Sequence, residues 1–262
     1  MQITLTTDFG QQDSYVGLMK GVIAAINPEA QVIDLSHGVP PQNIMAAGLI
    51  LQHSIRYFPA GTIHVVVVDP GVGSSRRPIL IEFDDSYYIG PDNGVLSVAF
   101  ERKQPSQIIH LSNPTFHLQT ISPTFHGRDI FAPVAAHLSL GVPVKEFGEK
   151  LDSFVELVVP KIIRQEDQVK GEIVYVDSFG NLFTNIRQRD LTGLAKERLR
   201  IILGSTEIGG LATNYAAVVA GEFACLFNSW GFLEIAVNKG SAHQRTGAKV
   251  GDKVAVASKL LA

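Results

Sequence analysis

Ile63-His64-Val65-Val66-Val67-Val68-Asp69-Pro70-Gly71-Val72-Gly73-Ser74-Ser75-Arg76-Arg77 runs from an unbroken apolar segment into a charged, glycine-containing loop. Consecutive valines cannot alternate faces toward water, so they read as a strand buried on both sides, in the middle of a parallel sheet. The strand stops at a carboxylate, and a Pro-Gly-x-Gly loop closed by two arginines follows. Ligands of open α/β sheets bind outside the carboxyl ends of the strands. Asp69 and Arg76 are therefore delivered to the place where such a fold does chemistry.

Residues 1–140 repeat this logic. Gln2–Thr7, Gln31–Leu35, Thr62–Val68, Pro78–Phe83 and Gln107–Leu111 read as strands. Helical spacing covers Ser14–Ile26, Gln42–Tyr57 with Pro41 suited to its first turn, Gly94–Phe100 and Asp129–Leu138. Strand and helix alternating at this rhythm predict βαβ units and a mostly parallel, Rossmann-like sheet in an α/β domain over residues 1–160. From Gln168 the pattern changes to short strands: Val169–Val176, Leu182–Ile186, Leu199–Leu203, Phe223–Phe227, Phe232–Val237 and Lys253–Ala257. Glycine-rich turns separate them, which predicts a small antiparallel β-barrel domain over residues 168–262, with a linker near Phe154–Gln168.

The 262 residues include 22 basic and 25 acidic side chains, for a formal charge of -3. That balance gives no electrostatic footprint for nucleic acid and no polybasic segment for a membrane surface. No apolar run reaches the ~18 residues a membrane span needs. The N-terminal segment lacks the basic and apolar regions of a signal peptide and reads as the strand that starts the fold. A soluble, cytoplasmic protein is expected. Cys225, the only cysteine, lies in an apolar run and reads as a buried structural thiol.

Several short motifs carry polar chemistry. Thr6-Thr7-Asp8-Phe9-Gly10 closes the first strand, and a carboxylate there suits the two hydroxyls of a ribose. Asp13 follows in the loop, where capping the next helix is its bland explanation. Asp69 beside Arg76 is held ionised, and the pair makes a field that fixes a water or an anion. In Pro91-Asp92-Asn93-Gly94, turn chemistry explains Asp92 and Asn93. Thr124-Phe125-His126-Gly127-Arg128-Asp129 puts a histidine just before a helix, placed to act as a base, a donor or a cap. The other histidines lack zinc-ligand spacing, so no catalytic metal is expected, and His37 is at most a supporting residue. Asp177-Ser178-Phe179-Gly180-Asn181-Leu182-Phe183 and Asn228-Ser229-Trp230-Gly231 read, taken alone, as turns between barrel strands. Together with Asn238 they supply the amide, hydroxyl and aromatic groups that recognition of a flat base requires.

In content, order and spacing these motifs resemble the S-adenosyl-L-methionine hydroxide adenosyltransferases (adenosylmethionine hydrolases), relatives of the fluorinase and chlorinase. The resemblance spans essentially the whole chain. It implies hydrolysis of S-adenosyl-L-methionine to adenosine and L-methionine, with that molecule as substrate and no separate cofactor. It also implies a homotrimer whose sites lie between one subunit's N-terminal domain and a neighbour's C-terminal domain. The family's catalytic Asp-Arg-His set falls on Asp69, Arg76 and His126; Arg76 takes the arginine position by its spacing, not Arg77. Asp8 then corresponds to the ribose ligand, and Asp13 and Asp177 lie near the methionine end. Phe179, Asn181 and Phe183 belong to the adenine pocket, with Ser229 and Asn238 from later loops. The halogenases carry tyrosine at the positions of Asp69 and His126 and a halide-contacting serine at that of Gly127. The departures here favour water over halide as nucleophile. Trp230 stands where the fluorinase has an arginine, which leaves the methionine carboxylate contact there open. The competing expectations are a non-catalytic adenosine or S-adenosyl-L-methionine binding module and, more remotely, a halogenase.

Overall fold

A computed structural model describes residues 1–100, 104–195 and 198–258, and the chain divides into two compact units, Met1–Val158 and Val159–Ala262. The first unit contains, in order, β1 (Gln2–Thr7), α1 (Tyr15–Ile26), β2 (Gln31–Ser36), α2 (Ile44–Ser54), β3 (Ile63–Val67), β4 (Pro78–Phe83) and β5 (Ser86–Pro91). β6 (Gln107–His110), α3 (Ala132–Ser139) and β7 (Glu149–Lys150) complete it. Its seven strands lie in the order β2-β1-β3-β5-β4-β6-β7. β3 sits inside the sheet, parallel to β1 and β5, and Ile63 through Val68 are all buried. Ile63, Val65 and Val67 join Ile3 and Leu5 in a core with Met19 and Ile23 of α1 and Val134, Ala135 and Leu138 of α3. The alternate residues Thr4, Thr6, His64, Val66 and Val68 are buried too, as the two-residue period of a doubly covered strand requires.

The expected mostly parallel sheet needs correction, because the sheet is mixed. β2, β1, β3 and β5 are parallel neighbours, whereas β5-β4, β4-β6 and β6-β7 pair antiparallel. The cause is local. Asp84 and Asp85 both have positive φ, 49° and 57°, and form the two-residue turn that matches the twist of a hairpin. That turn sends the chain straight back as β5, a strand absent from the sequence reading. Two helix starts also move. Asn43 caps α2 by accepting from the Ala46 amide at 3.0 Å, and Gln42, at φ 63°, stands outside the helix. The segment after Gly94 forms only a short 3-10 turn, Ser97–Phe100.

The second unit holds β8 (Ile163–Gln165), β9 (Gln168–Val176), β10 (Leu182–Arg187), β11 (Arg200–Leu203), β12 (Thr206–Gly209), β13 (Phe223–Phe227), β14 (Phe232–Val237), α4 (Ala242–Thr246) and β15 (Lys253–Ala257). The order β12-β11-β15-β9-β10-β14-β13 is antiparallel throughout, and β8 pairs with β9. The Ala212 amide donates to the Cys225 carbonyl at 2.7 Å, so the chain leaving β12 meets β13 and nearly closes a barrel. Inside are Val169, Ile173, Leu182, Leu233, Ile235, Val254 and Cys225. Burial pushes the Cys225 thiol up to about 12, which makes it an inert core group. Among the described residues no helix is long and apolar enough to cross a membrane.

The turn at Asp84-Asp85 gives a direct stability test. Left-handed backbone disfavours a β-branched residue by about 1–2 kcal/mol, so Asp85→Val lowers unfolding free energy by that order while Asp85→Gly does not. Urea unfolding followed by circular dichroism reads the difference.

Candidate active site

The parallel strands bring their carboxyl ends to one edge. β1 ends at Thr7, followed by Asp8, and β3 ends beside Asp69. β4 starts at the same edge, because it runs back against β5, and this places Arg76 and Arg77 just before its first residue. Both arginines face carboxylates, but different ones. Arg76 binds Asp69 through Nε to Oδ1 at 3.0 Å and Nη2 to Oδ2 at 2.5 Å. Arg77 donates to Asp92, which also accepts from the Val155 amide at 2.7 Å. The neighbouring Asn93 amide holds the Val68 carbonyl at 2.9 Å, bracing the strand end that carries Asp69.

Asp69 and Arg76 are nearly out of water, with side-chain exposures of 5% and 8%. Nη2 of Arg76 also lies 2.7 Å from Nδ1 of His126. A guanidinium can only donate, so Nδ1 must accept, which makes the imidazole neutral and puts its proton on Nε2. Electrostatics agree: burial and then the Arg76 charge hold His126 below the ordinary imidazole range, with Asp69 and Asp129 partly opposing them. The remaining Arg76 nitrogen, Nη1, is buried and has no hydrogen-bond partner among the described residues.

Two backbone features bring His126 to this pair. Gly73 has φ 76°, and a Cβ there would stand 2.3 Å from the Pro123 carbonyl oxygen, so only glycine lets the Asp69 loop approach the 122–126 loop this closely. After His126 the chain makes a wide π turn, Gly127–Phe131, before α3. Pro133 has no amide to offer the Asp129 carbonyl, which accepts from Leu118 instead at 3.0 Å. The fully buried Asp129 carboxylate takes Arg128 Nε at 2.6 Å and the Ser122 amide at 2.8 Å, so it pins the loop. A helix starting at Asp129 was the expectation; the proline explains the wider turn.

A cavity of about 410 Å³ opens here, with Asp8, Asp69, His126, Phe9, Tyr15 and Phe125 among its lining residues. Asp8 is fixed by the Gln42 amide, which donates to Oδ2 at 2.8 Å. The left-handed backbone at Gln42 aims that amide, and no pattern in the sequence announced it. His37 supports the same edge, pairing with Thr7 Oγ1 at 2.9 Å and Asp34 at 2.9 Å. Asp13 is exposed in the loop before α1, and Ser14, not Asp13, occupies the cap position.

In the second unit Asp177 closes its own turn. Oδ1 accepts the Phe179 and Asn181 amides, both at 2.9 Å, and Oδ2 accepts from the Asn181 side chain at 3.0 Å. Phe179 is left 76% exposed, whereas Phe183 is buried against Tyr175 and Trp230, with ring centroids 5.5 and 5.3 Å away. Ser229 lies in the exposed turn before β14. Asn238 lies beyond the other end of that strand, its amide committed to the Val218 carbonyl at 2.7 Å. The barrel therefore groups Asp177, Phe179 and Asn181 in one turn but separates Ser229 from Asn238.

Comparison with known proteins is consistent across the chain. Residues 3–148 match the family model described as the SAM hydroxide adenosyltransferase N-terminal domain, and residues 171–255 match its C-terminal counterpart. The chain belongs to this family. It is 36% identical to the (R)-S-adenosyl-L-methionine hydrolase of Salinispora tropica, over 97% of each chain. A fluorinase from an Actinoplanes species is 28% identical over 90% of each. A crystal structure of an uncharacterized conserved protein from Thermotoga maritima is 40% identical with a TM-score of 0.91, covering 98% of this chain and 100% of that one.

The charge around His126 can be tested by NMR titration of its ring. The resonance titrates below the ordinary value of about 6.5. Asp69→Asn removes a carboxylate that favours the cation and moves the midpoint lower; Arg76→Ala removes a repelling charge and moves it higher.

Proposed function

We propose that the Asp69–Arg76–His126 cluster hydrolyses S-adenosyl-L-methionine to adenosine and L-methionine. The observation that carries this reading is the bidentate ion pair at the strand end, bonded to a neutral histidine and retaining one buried, unpartnered guanidinium nitrogen. The protein is a hydrolase of this substrate. Water oxygen attacks C5′ as the C5′–S bond breaks, its electron pair returns to sulfur as the methionine thioether, and one proton leaves the water. The sulfonium departs readily, so the barrier lies in presenting a poor nucleophile in line. Holding the two in near-attack geometry supplies roughly 7–11 kcal/mol.

The roles follow from which atoms are free. His126 Nδ1 is engaged by Arg76, so its Nε2–H is a donor that orients the water oxygen. Asp69 keeps lone pairs beyond those Arg76 uses and is the group able to take the proton. The positive charge of Arg76, paired to Asp69 at the cavity edge, stabilises the developing hydroxide charge. Asp8, held by Gln42, takes the ribose hydroxyls, with Asp13 and Asp177 toward the methionine end. Phe179, Asn181 and Phe183 form the adenine pocket, and Ser229 and Asn238 complete it. The same proposal includes a homotrimer in which each site combines one subunit's first unit with a neighbour's barrel, and a cytoplasmic location. The 76% exposure of Phe179 supports a pocket that one barrel alone leaves unfinished.

Incubation of the purified protein with S-adenosyl-L-methionine and chromatography of the products tests the reading. Adenosine and methionine accumulate, and Asp69→Asn lowers kcat by about 10²–10⁴-fold. Ligand retained without turnover would indicate a binding module instead, and 5′-halo-adenosine formed in chloride or fluoride would indicate a halogenase.

A further inference from the structure

β1 ends at Thr7, and the backbone amides just beyond a strand end must find acceptors outside the ladder. The Phe9 amide donates to Thr7 Oγ1 at 3.2 Å, and the Gly10 amide donates to the His37 carbonyl at 2.8 Å. Gly10 has φ 70°, so the chain turns sharply there. The Thr7 hydroxyl in turn meets Nδ1 of His37 at 2.9 Å, and both residues are buried. Asp34 Oδ1 stands 2.9 Å from the other ring nitrogen, and Asp34 is itself paired to Lys20 at 2.6 Å. A carboxylate beside Nε2 keeps the ring proton there. Nδ1 then accepts the Thr7 O–H, and the Thr7 oxygen keeps its lone pairs for the Phe9 amide.

What this turn carries is Asp8. It lines the cavity together with Phe9, Pro41 and Gln42, and its Oδ2 accepts the Gln42 amide at 2.8 Å. One loop, residues 36–42, therefore supplies an imidazole and a carbonyl to the backbone around Asp8 and an amide to its carboxylate. A buried imidazole set against a buried hydroxyl is a poor way to fill the space behind a strand end, because two polar groups are desolvated for one hydrogen bond. An apolar pair would pack there at lower cost. What the polar pair does provide is a fixed backbone at Asp8. We propose that His37 is a positioning residue which, through the Thr7 hydroxyl and its own carbonyl, holds the Thr7–Gly10 turn so that Asp8 meets the ribose of S-adenosyl-L-methionine. This rests on the reading that Asp8 takes the ribose hydroxyls.

The groups assigned to the chemical step stand on other segments. Asp69 follows β3, Arg76 precedes β4, and His126 precedes the π turn. Loosening the Asp8 turn therefore weakens binding and spares the reaction itself, so its signature is a change in KM without a matching change in kcat.

His37→Ala raises KM for S-adenosyl-L-methionine about fivefold, the scale of one hydrogen bond, while kcat stays close to wild type. His37→Asn, whose side-chain oxygen takes the place of Nδ1, recovers most of the loss. Thr7→Val raises KM as much as His37→Ala does, and the double variant is no worse than Thr7→Val alone, because both changes cut the same link. Competitive inhibition locates the effect: His37→Ala weakens adenosine and leaves 2′,3′-dideoxyadenosine unchanged. An unchanged KM in both single variants, additive losses in the double variant, or equal weakening of the two nucleosides overturns the proposal. If His37→Ala fails to melt cooperatively, Thr7→Val decides, a raised KM supporting the proposal and an unchanged one refuting it. If the wild type binds the two nucleosides equally, or does not hydrolyse the substrate, the reading of Asp8 or of the function fails on its own. Amide hydrogen exchange without ligand then still tests the link from His37 to the turn. The Phe9 and Gly10 amides exchange about tenfold faster in Thr7→Val and His37→Ala than in the wild type, and unchanged exchange refutes it.

Discussion

The ion pair between Asp69 and Arg76 is made where charge is expensive, at the end of a strand buried on both faces. Such a pair survives only with near-ideal geometry, because each ion loses most of its hydration. The surroundings supply that geometry. Asn93 braces the strand end, Arg77 is drawn off to Asp92, and Gly73 lets the loop close against Pro123. Remove the pairing and two charges stand unmatched in a site lined by Phe9, Tyr15 and Phe125. Most of the edge of the first unit is arranged to keep that from happening.

The pairing also decides the state of His126. Because Arg76 has only protons to give, the histidine beside it must accept, and its own proton is moved to the far nitrogen. An aspartate that is ionised and a histidine that is neutral are thereby set side by side in the resting protein. This division of labour is what the proposed in-line attack by water calls for: one group to receive a proton, one to orient the oxygen, and a fixed positive charge for the hydroxide that develops.

Much of this was legible in residues 63–77, since four valines before an aspartate leave few alternatives to a central strand. The seven-residue spacing from Asp69 to Arg76 likewise survives as a direct contact. β5 was not legible, because its hairpin uses Asp84-Asp85, a pair that advertises solvent more than a left-handed turn. The π turn after His126 depends on Pro133, four residues beyond Asp129, and on Leu118 arriving from elsewhere to take the freed carbonyl. The Gln42 amide on Asp8 is a matter of backbone conformation and leaves no trace in side-chain chemistry. In the barrel, Asp177 and Asn228 read as turn residues and are turn residues, while the contact of Phe183 with Tyr175 exists only through strand register. Contacts made across register between distant segments are the part that spacing along a chain cannot supply.

The central claim is that the oxygen joined to C5′ comes from a water held by Asp69, Arg76 and His126. Turnover in ¹⁸O-water, with both products analysed by mass spectrometry, addresses it most directly. The account predicts one ¹⁸O atom in the 5′-hydroxyl of adenosine and none in methionine. Label in methionine, or a nucleoside product that still carries sulfur, would contradict it.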